Sequence, residues 1–396
     1  MLFNFNDNYE SPFEPGNPVS PENFVGRIES ITKILRYAKS ASNGKMQHFF
    51  LTGNKGMGKT SLAEFVKDYI ENNLGMTGVY ISNKDNNTVE GLINLICEAM
   101  HYKSSKNNIT DKIKSVFDYI DSLEYKNAKL NFNNTNNIKL SNDLYSNFHL
   151  YLKDFIDDIN PEKGIFLVID DINGLSDSEN FVNWYKRLSD TVAVERLNLK
   201  LYVLFAGYPE KFDNLINVEP SFSRIFHYEE IGALDDEEVK KFFKDTFQKV
   251  NIQCEDEVLK LFTFFSSGLP LVMQNIGDYA FWSAENNEIS EDVAIESIIS
   301  AGNEIGNKQL KNILKQIKTD LYKQILLKLG QYHLFSFSKT DFLDKLDNNE
   351  KLVFDDFLEY MLDLGILISY DSENNEIYEF TNQLYYTYFM IKSLEN

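Results

Sequence analysis

The 396-residue chain predicts an α/β protein: a parallel sheet with helices on both faces, then an α-helical segment, then a C-terminal unit of helices and a hairpin. Three observations carry this. Short apolar runs alternate with amphipathic stretches as far as about residue 232, the pattern of repeated strand–helix–strand units. A glycine-rich turn, Gly53-Asn54-Lys55-Gly56-Met57-Gly58-Lys59-Thr60, joins the first apolar run to the next amphipathic stretch. A later run, Gly164 to Ile169, ends on Asp170-Asp171.

Composition narrows the functional classes. The chain carries 39 basic and 60 acidic side chains, a net charge of -21, with 43% apolar and 14% aromatic residues. That apolar content can build cores and excludes a disordered or collagen-like chain. The acidic balance argues against coating nucleic acid or anionic membrane, because long-range steering repels both. Two cysteines, Cys97 and Cys254, cannot make a disulfide framework, and five scattered histidines show no metal spacing. No run of 18 apolar residues occurs, and the stretch MLFNFNDNYE lacks the basic-then-apolar pattern of a signal peptide. A cytoplasmic protein without a membrane span is expected.

Residues 1–23 hold four of the eight prolines and predict an extended lead-in, since proline donates to neither helix nor sheet. Phe24 to Ser42 predicts a helix, with Ile28, Ile31, Ile34, Leu35 and Ala38 at helical spacing. His48 to Thr52 predicts a buried strand. A helix from about Thr60 to Asn73, a strand at Gly78 to Ser82 and a helix from about Val89 to His101 follow. Residues 103–140 predict an insertion, with a helix near Ile109 to Leu123 and a small hairpin at Ala128 to Leu140. A helix from about Asp143 to Ile159 leads into the run ending at Ile169. A helix around Asn180 to Leu188 and a strand at Lys200 to Ala206 complete a domain expected over 24–232. Segments 235–250, 255–266, 270–284 and 290–302 predict a helical domain at 233–304. Residues 305–396 predict helices at 308–329, 338–347 and 353–364. They end in a hairpin pairing Ile366 to Tyr370 with Ile377 to Thr381, the winged-helix arrangement. The aromatic run Leu384 to Met390 is expected to pack into this last domain or to cover a partner surface.

The turn at 53–60 matches GxxxxGK[ST] in full. Its glycines let successive backbone N–H groups face one anion. The following helix aims its positive end at phosphate. Lys59 is placed to reach the β- and γ-phosphates, and the Thr60 hydroxyl to ligate Mg²⁺. Gly53, Asn54, Lys55, Gly56, Met57, Gly58, Lys59, Thr60 and Ser61 are therefore candidate contacts to ATP or ADP. The aliphatic run ending in Asp170-Asp171 is the Walker B pattern. Asp170 is the expected metal carboxylate, and Asp171 the group that orients or activates water.

With these motifs in hand, the chain resembles AAA+ P-loop ATPases of the STAND and replication-initiator-like branch. The stretch Asn23-Phe24-Val25-Gly26-Arg27 is similar to their FVGR motif, which lies against adenine. The resemblance implies that Val25, Gly26 and Arg27 contact the base. Ser267-Gly268-Leu269-Pro270-Leu271 resembles the GLPL motif of STAND-type lids and implies a base contact at Pro270; a plain helix start fits it too. No Arg or Lys follows in Val272 to Asn275, so the sensor-2 arginine of many AAA+ machines is absent. The strand at the sensor-1 place ends in Ala206-Gly207-Tyr208-Pro209, without Asn or Thr. Ser221 to Phe226 resembles the segment carrying an arginine finger, which implies that role for Arg224; a surface ion pair is the alternative. Relatives often carry Glu where Asp171 stands, so slow hydrolysis is expected.

The third C-terminal helix, Val353 to Asp363, holds four carboxylates and no Lys or Arg, and the hairpin tip 371–376 is acidic too. Residues 306–396 carry ten lysines against fourteen carboxylates. Such a surface repels the DNA backbone and favours a protein partner, a second copy of the chain, or autoinhibition. Lys308, Lys311, Lys315 and Lys318, spaced along one expected helix face, point the other way. The leading expectation is an ATP-dependent conformational or assembly switch, with ATP·Mg²⁺ held between the α/β core and the lid. A DNA-associated AAA+ ATPase and a structural nucleotide-binding scaffold are the alternatives.

Overall fold

The computed structural model describes residues 10–84, 86–104, 145–372 and 375–395. The helix expected near Ile109 to Leu123 and the hairpin expected at Ala128 to Leu140 lie outside them. Contacts divide the chain into two units. One holds Ser20–Asn54 and Lys59–Gly232. The other takes in the described residues up to Val19, Lys55–Gly58, and Ala233 onward.

The first unit is built on five parallel strands in the order β2-β3-β4-β1-β5. They are β1 (Gln47–Thr52), β2 (Thr77–Ser82), β3 (Ile165–Asp170), β4 (Leu201–Gly207) and β5 (His227–Glu230). Strands β3 and β4 are buried throughout, which is why they read as unbroken apolar runs. Side chains alternate between the two faces. Phe50, Leu167, Ile169, Val203 and Phe205 enter a core with α3 (Val89–Lys103), α4 (Phe148–Ile159) and α5 (Glu179–Val194). The opposite face is covered by α1 (Ile28–Ser42) and α2 (Lys59–Leu74). There the Tyr202 hydroxyl donates to the Ile34 carbonyl at 3.0 Å. Burying each such Phe or Leu contributes about 1.5–3 kcal/mol.

Two local expectations for this unit change. Helix α1 starts at Ile28, not Phe24, because Gly26 (φ 80°) and Arg27 (φ 59°) are left-handed and cannot begin a right-handed helix. Strand β5 was not anticipated. Its sequence, His-Tyr-Glu-Glu, is polar and short, and only pairing with β1 (Phe49 opposite His227) makes it a strand.

In the second unit, the residues before Val19 pack against helices. Phe13 is buried against Phe242 and Phe247, and the Glu14 N–H donates to Gln274 Oε1 at 2.8 Å. Pro21–Asn23, a short 3-10 turn, already belongs to the first unit. Helices of the second unit follow at Asp236–Lys249, Asp256–Ser266, Pro270–Ser283 and Glu291–Lys308. Asp235 and Glu238 form a capping box at the first. A two-residue parallel pair, Gln253–Cys254 with Glu288–Ile289, lies among them. Gly268 (φ 66°) passes so close to Leu234 that a Cβ would lie 2.1 Å from the Leu234 carbonyl oxygen. Glycine is required there.

The helix expected at 308–329 is broken. Glu291–Lys308 ends, Lys311–Leu314 makes one turn, and a new helix runs Asp320–Gln331. Thr319 restarts it by accepting the Tyr322 N–H on its side chain. The lysine stripe is therefore lost. Lys308 pairs with Glu304, and Lys318 lies over the Tyr360 ring. Shorter helices at Lys339–Leu343 and Asn348–Leu352 and a helix at Phe354–Asp363 precede the hairpin Leu367–Ser372 with Asn375–Phe380. A third strand, Ser336–Ser338, pairs with the second hairpin strand. The aromatic tail is the helix Gln383–Lys392. Ile391 lies over Gly302, Tyr388 over Gly306 and Phe389 over Gly330, so three glycines admit one helix at close range.

Candidate functional site

The site lies at the carboxyl ends of β1, β3 and β4, where parallel sheets place ligands. The chain leaves β1 at Thr52 and enters α2 at Lys59. Gly56 and Gly58, at φ 85° and 84°, make the left-handed turns between. A side chain on either would also meet neighbours. A Cβ at Gly56 would lie 3.1 Å from Leu271 Cβ, and one at Gly58 3.7 Å from Pro270 Cγ. The Leu271 N–H donates to the Gly56 carbonyl at 3.3 Å. Pro270 itself is the first residue of its helix, as its sequence setting suggested. Within the loop Met57 is buried and Lys55 exposed; Ser61 is buried in the first turn of α2.

Lys59 folds back over the loop. Its ammonium donates to the Gly53 carbonyl at 2.7 Å and the Asn54 carbonyl at 3.2 Å, and lies 4.8 Å from the Tyr208 ring centroid. Burial pulls its pKa below the ordinary range, while the Asp170, Asp171 and Glu210 carboxylates oppose that shift. The cation is thus held where an anion would relieve its desolvation.

Thr60 and Asp170 are brought together across 110 residues of sequence: the Thr60 hydroxyl donates to Asp170 Oδ2 at 2.6 Å. Asp170 is 8% exposed. The Tyr80 hydroxyl donates to the same oxygen at 2.6 Å, and the Asp171 N–H donates to Oδ1 at 2.9 Å. The Tyr80 phenol is pushed far up, first by burial and then by the Asp170 charge.

Asp171 has left-handed backbone (φ 59°), a conformation a non-glycine residue keeps only when its surroundings insist. Its own N–H bond to Asp170 and the Asn173 side-chain amide, which donates to Asp171 Oδ1, supply that insistence. Asn173 Oδ1 in turn accepts the Tyr208 N–H at 3.0 Å. An asparagine from the turn after β3 therefore reaches the end of β4, where the β4 sequence has none.

Among the other sequence candidates, Arg27 donates to the Gly232 carbonyl at 2.6 Å. Phe24, just before Val25 and Gly26, stacks on Phe65 of α2 with centroids 4.7 Å apart. Arg224 is exposed on the one-turn helix Phe222–Ile225 and makes no hydrogen bond or ion pair to this cluster among the described residues. Three residues were missed: Tyr80, Asn173 and Tyr208. Asn173, two residues past the paired aspartates, was open to suspicion. Tyr80 was not, because only the β2–β3 pairing, with Ser82 opposite Asp170, brings it there.

The donors around Thr60 and Asp170 are all oxygen, the set a hard divalent cation prefers. No cluster of three or more His, Cys, Asp or Glu able to hold a metal by themselves occurs among the described residues. No described helix is long and apolar enough to cross a membrane.

Comparison with known proteins bears on the fold that carries these residues. A family model described as Nephrocystin 3, N-terminal, matches residues 28–204, which include both the loop and the acidic strand end. No curated protein sequence matches the chain. Among the similar solved structures are two that align over nearly their whole length. A Walker-type ATPase of Pyrococcus abyssi is 14% identical, with a TM-score of 0.53, over 97% of this chain and 99% of that one. Cdc6p from Pyrobaculum aerophilum is 12% identical, with a TM-score of 0.50, over 96% and 98%. The fold is that of the AAA+ P-loop ATPases: a parallel sheet, helices on both faces, and a helical continuation.

Proposed function

We propose that the chain binds ATP and ADP with Mg²⁺ at the 53–61 loop and works as a nucleotide-dependent conformational or assembly switch with slow hydrolysis. One observation carries this. The Thr60 hydroxyl and Asp170 carboxylate, named from motifs far apart in sequence, form a 2.6 Å hydrogen bond beside the partly desolvated Lys59. Thr60 and Asp170 would hold the cation, which would neutralise charge on the β- and γ-phosphate oxygens. Lys59 would exchange two loop carbonyls for phosphate oxygens. Asp171, fixed by Asn173, would orient water. Its short side chain and left-handed backbone fit a slow hydrolase better than a fast motor.

Val25, Gly26, Arg27 and Pro270 are the proposed base contacts, and Arg224, exposed on its one-turn helix, is the proposed finger for a neighbouring copy. The C-terminal helices and three-stranded sheet are read as a STAND-type winged helix that meets protein. Its helix Phe354–Asp363 presents Asp355, Asp356, Glu359 and Asp363, and the lysine stripe that would track DNA phosphates is broken.

Calorimetry tests the reading. The wild type should bind ADP and ATP, and Lys59→Ala should bind at least about 100-fold more weakly with an unchanged melting temperature. A wild type giving no heat with either nucleotide at any Mg²⁺ level overturns it. Light scattering with ADP and with a non-hydrolysable ATP analogue then tests the switch. Identical mass and hydrodynamic radius in both would leave a static scaffold.

A further inference from the structure

We propose that Tyr80 determines which divalent cation the site accepts, by closing one oxygen of Asp170 against chelation. The proposal rests on the nucleotide-binding reading above. An ionised carboxylate offers about four lone-pair positions on its two oxygens. Three are taken in Asp170. Oδ2 accepts the Thr60 and Tyr80 hydroxyls, each at 2.6 Å, and Oδ1 accepts the Asp171 N–H at 2.9 Å. Among the described residues, one position, on Oδ1, stays open to a cation or to water bound to one.

The two hydroxyls differ in what they permit. Thr60 spends its proton on Asp170 and keeps its lone pairs for a cation. Tyr80 uses up an acceptor position and offers nothing the phosphate-loop and acidic-strand motifs require. Its ring comes from β2, the strand hydrogen-bonded to β3, so the sheet rather than a loop holds the hydroxyl in place. The distance is typical of a strong O–H donor on a carboxylate.

Asp170 can therefore present one oxygen and cannot grip in bidentate fashion. A small octahedral cation such as Mg²⁺, which keeps several waters and takes single carboxylate oxygens, is well served. Ca²⁺ collects more oxygens and often takes a carboxylate by both, so it is disfavoured. Tyr80 is a specificity-determining, positioning residue.

The full chain and its Tyr80→Phe variant would be titrated with ADP by calorimetry, without metal, with Mg²⁺ and with Ca²⁺. Metal-free ADP affinity supplies the reference within each protein. In Tyr80→Phe the preference for Mg²⁺ over Ca²⁺ should fall about 5- to 10-fold, mainly through tighter Ca²⁺-dependent binding. In an Asp170→Asn background the same Tyr80→Phe change should move the preference less than about twofold, because the carboxylate it acts on is gone. A metal preference unchanged by Tyr80→Phe overturns the role of Tyr80, as does an equal shift in the Asp170→Asn background. If the wild type binds metal-free ADP normally, such a failure leaves the nucleotide reading standing. If it binds no nucleotide at all, both fall. Thermal melting of each variant shows whether Tyr80→Phe remains folded; if it does not, Tyr80→Trp, which keeps an aromatic ring without the hydroxyl, is titrated in the same way.

Discussion

Asp170 and Asp355 are the same residue type at the ends of two different regions. Asp170 is 8% exposed at the tip of a central strand and accepts three hydrogen bonds. Asp355 has a side chain 75% exposed on a C-terminal helix and pairs with Lys339 at the surface. In the α/β unit, buried polar groups near the sheet have side-chain partners: His48 has Tyr185 and Ser189, and Thr52 has Tyr228. In the C-terminal region, aromatic and aliphatic side chains fill the interior and most charges lie at the surface, with Glu350, buried and held by Lys328, as an exception. The contrast shows where each region stores its specificity. One stores it in hydrogen bonds, whose loss alters chemistry. The other stores it in packing, whose loss alters stability.

This contrast can be tested by attacking each region where it is strongest. The largest effect is expected in the packed region. Phe389, 3% exposed beside Gly330, should cost about 3–5 kcal/mol on truncation to alanine, read by urea unfolding, with ADP affinity within about twofold of wild type. A nucleotide effect larger than that would show the regions are not separable.

The next effect belongs to the α/β unit. Burial, helped by the His227 charge, lowers the His48 pKa to about 3. The unfolded chain takes up this proton near pH 6.5, and the folded one does not until about pH 3. Stability from this site is full above pH 6.5 and is lost as pH falls toward 3. Between pH 7.5 and 5 the loss should be about 2 kcal/mol. Hydrogen exchange should place the weakening around β1, and His48→Asn should flatten the slope. An equal slope in that variant would assign the acid sensitivity to other groups.

The smallest effect is expected from Asp355→Asn with Asp356→Asn. Surface charges of this kind should change stability by less than about 0.5 kcal/mol. A larger change, or a change in self-association, would show that this face is engaged by a partner.

Much of the α/β unit was legible because its signals are local. An unbroken apolar run can only be a buried element, and GxxxxGKT can only turn one way between a strand and a helix. Thr319 shows the opposite case. A helical pattern runs straight through 308–329, and apolar spacing alone does not reveal that a side-chain cap at Thr319 starts a new helix. Strand β5 was invisible for a related reason, since nothing in His-Tyr-Glu-Glu favours a strand until β1 offers its free edge.

Left to itself, the chain's order of residues settled the layered architecture, the loop, and the singling out of Thr60 and Asp170. Those depend on periodicity and on contiguous motifs, which are written along one dimension. What surrounds Asp170 was decided only by folding. Tyr80 from the adjacent strand and the Asn173 bridge between β3 and β4 depend on strand order and register. Neither is encoded in any one segment, because both arise when segments far apart share a sheet.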